Sequence, residues 1–80
     1  MNNIQVAVGK QGVYESVLLT RPTNARLSKG EFYIDGDYTF EVEGVYCKEL
    51  CYTHLCKSVI LEPEADLETY IRVLKSQGWY

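Results

Sequence analysis

Glu31-Phe32-Tyr33-Ile34-Asp35-Gly36-Asp37-Tyr38-Thr39-Phe40-Glu41-Val42-Glu43 is the stretch on which the fold turns. Phe32, Ile34, Tyr38, Phe40 and Val42 stand on even positions, and Glu31, Asp35, Asp37, Thr39, Glu41 and Glu43 on odd ones. This is the period-two alternation of strands with one apolar and one wet face. The chain must reverse at Asp35-Gly36-Asp37. A two-residue Asp35-Gly36 turn would set Ile34 opposite Asp37 and mix the faces. A three-residue loop of Asp35, Gly36 and Asp37 instead pairs Ile34 with Tyr38 and Phe32 with Phe40 and keeps the faces pure. The pattern therefore predicts a hairpin with an apolar inner face and an acidic outer one.

Upstream, Ile4-Gln5-Val6-Ala7-Val8 alternates in the same way. Gly9-Lys10-Gln11-Gly12 then supplies turn residues before a second β-type run, Val13 to Leu19, so an opening hairpin is expected. Arg21 to Gly30 shows no period, and Pro22, Asn24, Ser28 and Gly30 mark it as a loop, which Leu27 can pin to the core. Downstream, Gly44 breaks the alternation as a bulge or turn. Cys47-Lys48-Glu49-Leu50-Cys51 fits neither period and admits a short helical turn, and Lys57 to Leu61 reads as a final strand.

A closing amphipathic helix is predicted from Pro63 to Gln77. Leu67, Tyr70, Ile71 and Leu74 make one apolar stripe at i, i+3, i+4 and i+7. Pro63 suits the first turn, Glu64, Asp66 and Glu68 lie near the positive end of the dipole, Arg72 and Lys75 near the negative end, and Gly78 is placed to end the helix. Trp79 and Tyr80 follow as its apolar cap contact. The expected fold is α+β: a small antiparallel sheet of four to five strands with one C-terminal amphipathic helix packed on one face.

Eighty residues leave room for a single domain, 1–80, with a thin core. With 46% apolar and 24% charged residues, the balance is that of a globular chain and not of a disordered one. No stretch approaches the roughly 20 apolar residues of a membrane span, and Met1 to Gln5 lacks a basic, then apolar, leader, so the expectation is an unprocessed cytoplasmic protein. Three cysteines within ten residues suit reduced thiols better than a disulfide framework. The net charge of −3 is uneven, because residues 31–46 hold five carboxylates and no base. That favours a basic partner surface over a polyanion.

The densest group of chemically active side chains is Cys47, Cys51, His54 and Cys56, which have the ligand types of tetrahedral zinc. Their spacing is unfavourable, since all four come from one ten-residue stretch. A helix there would align Cys47, Cys51 and His54 and turn Cys56 away. A strand would set Cys47 and Cys51 opposite to His54 and Cys56. Cysteine as a small core residue is the plainer reading. Nothing nearby completes a Cys–His nucleophilic pair, and no Ser-His-Asp order, nucleophile elbow or phosphate-binding glycine loop occurs. Asp35-Gly36-Asp37 resembles a fragment of a calcium loop without its later ligands, and a plain turn explains it. Arg21, Arg26 and Lys29, with Tyr14 or Tyr33 to stack on bases, give thin grounds for nucleic-acid contact in an acidic chain.

Seven tyrosines and a terminal Trp79-Tyr80 point towards a surface covered by a partner. The expectation is a small acidic protein-binding or inhibitory module without catalytic residues, using Glu31, Tyr33, Asp35, Asp37, Glu41 and Glu43 against a protein with a basic surface. Phage and mobile-element inhibitors of host defence, anti-CRISPR proteins included, commonly have this size and character, which is a likeness of type and not of sequence. A phage-encoded chain would act in the host cytoplasm. The alternatives are a zinc domain on the cysteine and histidine residues and a nucleic-acid contact through Arg21 to Lys29.

Overall fold

The computed structural model describes residues 1–80. The elements are β1 (Asn2–Lys10), β2 (Val17–Thr23), β3 (Phe32–Asp35), β4 (Tyr38–Lys48), β5 (Cys51–Cys56), β6 (Val59–Leu61) and α1 (Leu67–Ser76). They form a curled mixed sheet in the order β2-β1-β5-β4-β3, with β6 also on β1, a half-barrel closed over by the C-terminal helix. The α+β class and the single closing helix are as expected, but the sheet is not wholly antiparallel. On one side β1 pairs antiparallel with β2; on the other it pairs parallel with β5 at Asn3–Gln5 and with β6 at Val8–Lys10. Parallel partners are distant in sequence, so no local pattern marks them.

The hairpin register differs from the expected one. Asp35 pairs with Tyr38, Ile34 with Thr39, Tyr33 with Phe40 and Phe32 with Glu41, around a two-residue turn of Gly36 and Asp37. Gly36 has φ +61°, a left-handed conformation that glycine takes without a Cβ penalty. A two-residue loop pairs odd positions of β3 with even positions of β4, so the parity of the buried face switches across the turn. Tyr33 and Asp35 turn inward beside Phe40, while Phe32 and Ile34 turn outward. At Gly44 the expected bulge is present, between Val42 and Gly44. Cys47 to Cys51 is a hairpin tip and not a helical turn: Glu49 and Leu50 both have positive φ, 52° and 65°, and link β4 to β5.

The opening hairpin forms, although β2 begins only at Val17 and takes in Arg21, Pro22 and Thr23 from the expected loop. Proline is tolerated there because β2 is an edge strand. The helix starts four residues later than expected. Asp66 is its N-cap, accepting from Thr69 N–H at 3.0 Å and from the Thr69 hydroxyl at 2.7 Å, while Pro63 lies in a turn closed by Ala65 N–H to the Glu62 carbonyl. At the other end Gly78, φ +101°, donates to Lys75 O and Trp79 N–H donates to Leu74 O, the paired bonds of a Schellman cap.

The concave face buries Ile4, Val6, Val8, Leu19, Phe40, Val42 and Cys56 under Leu74 and Trp79, with Leu67, Tyr70 and Ile71 half-buried against them. Each large apolar side chain so covered contributes on the order of 1.5–3 kcal/mol. The ten-residue helix has too few turns to be stable alone in water, so this packing holds it. No helix is long and apolar enough to cross a membrane.

Candidate functional site

The six carboxylate and tyrosine positions singled out in the sequence do not form one face. Glu31 precedes β3 and folds back on its own loop, accepting from Ser28 N–H at 2.7 Å. Asp37 is exposed in the turn and Glu43 is exposed at the bulge. Glu41 points outward and pairs with Lys57 at 3.2 Å. Tyr33 and Asp35 lie on the inner face, contrary to expectation, because the two-residue loop shifts β3 by one position. The outward positions they were expected to hold belong to Phe32 and Ile34, which are 56% and 68% exposed. The surface of the hairpin is therefore an apolar pair on β3, next to Thr39 and Glu41 on β4, with Glu31, Asp37 and Glu43 at its margins.

Inside, Asp35 organises a cluster that the sequence did not reveal. Its carboxylate accepts from Trp79 Nε1–H at 2.7 Å and pairs with the Arg21 guanidinium at 3.5 Å, and Arg21 also donates to the Tyr33 hydroxyl. Trp79 packs edge-on to Phe40 and Tyr33, with ring centroids 5.2 Å and 6.2 Å apart. Arg21 comes from β2 and Asp35 from β3, the two ends of the sheet order. The cluster thus joins the lips of the half-barrel and ties the chain terminus between them. Arg21 was expected in a loop, and no local signal pairs it with Asp35.

The cysteine and histidine residues are not gathered for a metal: no group of three or more His, Cys, Asp or Glu side chains is placed to hold one. Cys47 and Cys51 are exposed at the hairpin tip, on opposite faces of the sheet, while Cys56 is buried. His54 is fully buried and both of its ring nitrogens are occupied. Nε2 accepts from Leu27 N–H at 3.0 Å, so Nδ1 is the donor to Asn3 O at 3.0 Å. This histidine pins the 24–31 loop to β1, and neither ring nitrogen is left free to ligate a metal. Burial pushes the Cys56 thiol up to about 11, so it is neutral at ordinary pH and a poor nucleophile.

The basic loop is also partly engaged. Arg21 serves the inner cluster, and Arg26 lies 3.8 Å over the Tyr52 ring while bonding Leu27 O. Lys29 is exposed. Tyr14 is fully exposed, but Tyr33 is half-buried against the core with its hydroxyl engaged by Arg21. Tyr80 exchanges backbone hydrogen bonds with Thr20, at 2.7 and 2.9 Å, and so extends the sheet beyond β2. No protein-family model, curated protein or solved structure matches the chain, which leaves its own residues as the ground for any reading of function.

Proposed function

We propose that this protein is a binding module of the inhibitory kind, which acts by occupying the surface of a protein partner through its β3–β4 hairpin. The observation that carries the reading is the exposure of Phe32 and Ile34 on a hairpin whose surrounding charge is all acidic over residues 31–46. Apolar side chains so placed gain by being covered, and the carboxylates favour a partner that presents lysine or arginine around an apolar centre. The inward turn of Tyr33 and Asp35 moves the proposed contact from those residues to Phe32 and Ile34, with Glu31, Asp37, Glu41 and Glu43 as its charged rim.

The test is affinity capture from cells of the source organism with three immobilised proteins: wild type, Asp37→Lys/Glu41→Lys/Glu43→Lys, and Phe32→Ser/Ile34→Ser. A partner is expected to be retained by the wild type and lost from both variants, while their melting stays close to that of the wild type. The ion pair of Glu41 with Lys57 is largely exposed, so its reversal costs no more than about 1 kcal/mol. Retention of the same proteins by all three would remove the hairpin as the binding surface.

A further inference from the structure

The edges at the two ends of the strand order, β2 and β3, are not alike. The edge at β2 is closed at its middle, where Thr20 and Tyr80 exchange backbone hydrogen bonds, and Pro22 supplies no donor. The edge at β3 pairs only with β4. Across a two-residue turn the closing pair, Asp35 and Tyr38, bond to each other, and so do Tyr33 and Phe40. The intervening Phe32 and Ile34 turn their N–H and C=O groups away from β4. No loop, cap or side-chain hydrogen bond reaches those groups. Edge strands are usually guarded by lysine, proline or an inward charge. Here β3 has neither lysine nor proline, and its inward Asp35 is met by Arg21.

We infer that the free edge of β3 takes an extended segment of a protein partner as an added strand, with apolar side chains beside Phe32 and Ile34 and lysine or arginine at its ends beside Glu31 and Asp37. This rests on the protein-binding reading above and states how that surface holds its partner. Backbone bonds to Phe32 and Ile34 supply the attachment, and the alternate side chains of the segment supply selectivity. Charge chooses the occupant. A second copy of this chain would bring Glu31, Asp37, Glu41 and Glu43 against the same four carboxylates, whereas a basic segment meets them with opposite sign.

The probe is the capped peptide Lys-Lys-Val-Thr-Val-Lys-Lys, titrated into the isotope-labelled full chain with amide shifts and hydrogen exchange as readouts. Exchange at the Phe32 and Ile34 amides is expected to slow at least about tenfold at saturation, since each becomes a donor in a ladder. Ile34→Pro removes one outward donor without removing a bond to β4, and should weaken binding by about tenfold or more, while Ile34→Thr keeps the donor and should bind more tightly than the proline variant. Phe32→Pro, at the first residue of the strand, serves the same purpose should Ile34→Pro not fold, and the exchange experiment on the wild type needs neither variant.

Three results overturn the inference. Absence of peptide binding does so directly. Binding that is lost on reversing Asp37, Glu41 and Glu43, but gives no protection at Phe32 and Ile34 and is indifferent to proline, leaves the acidic surface standing and removes strand addition. A concentration-dependent dimer of the free protein that is lost in Ile34→Pro would make a second copy the occupant.

Discussion

Replacing Asp35 by alanine should destabilise the protein far more than replacing Asp37, two positions away in the same hairpin. Without the Asp35 carboxylate, Trp79 Nε1–H, on a side chain only 2% exposed, has no acceptor. An unsatisfied buried donor costs about 1–3 kcal/mol. The Arg21 guanidinium also loses its ion pair, worth up to about 1 kcal/mol because the two side chains are 30% and 13% exposed. Together these give about 1–4 kcal/mol, a fall in Tm of roughly 4–30 °C for a domain of this size. Asp37 bonds nothing in the turn, so Asp37→Ala should stay within about 0.5 kcal/mol of the wild type. Asp35→Asn keeps an acceptor for the indole and should fall between, at about 1 kcal/mol. Trp79 is the sole tryptophan and is buried, so its emission follows unfolding in urea directly. Equal effects at Asp35 and Asp37 would place Asp35 on the wet face after all, and would refute both the register and the joining of the sheet's two lips.

Other perturbations follow from the same geometry. Glu49→Asn/Leu50→Gly should raise stability by about 1 kcal/mol or more, because it relieves two non-glycine residues of left-handed backbone, and a lower urea midpoint would contradict it. In native protein a thiol reagent should label Cys47 and Cys51 and reach Cys56 only on unfolding, since burial holds that thiol at about 11; prompt labelling of all three would show the β5 end to be open. The Asp66 carboxyl is held below its ordinary value by the Thr69 hydroxyl and the Thr69 N–H. A depressed carboxyl stabilises the fold above the unfolded value and loses that stabilisation as pH falls through the folded one. Wild-type helical dichroism should therefore fade in acid below the ordinary carboxylate range, and Asp66→Ala should lose helix at neutral pH; an acid profile unchanged by that substitution would dismiss the cap.

Fold class was legible in the residues because it depends on local periods. The stripe of Leu67, Tyr70, Ile71 and Leu74, the stop at Gly78, the bulge at Gly44 and the alternation from Tyr38 to Val42 each follow from backbone geometry within one turn or one strand. The start of α1 was less legible, since Pro63 suits a first helical turn as well as Asp66 suits a cap, and only the Thr69 bonds settle it.

What the sequence determined by itself is therefore an α+β chain with an apolar concave layer and a closing helix, together with an acidic excess over residues 31–46. The tertiary structure decided which residues carry that excess outward. A loop of two residues or three costs little difference locally, and the choice falls to contacts with Arg21 on β2 and Trp79 at the terminus, 14 and 44 positions from Asp35. Those contacts draw Asp35 and Tyr33 in and leave Phe32 and Ile34 facing water on a free edge. A one-residue step in register exchanges the two faces of a strand completely, so a long-range pairing that local periodicity does not encode determined the surface this protein presents.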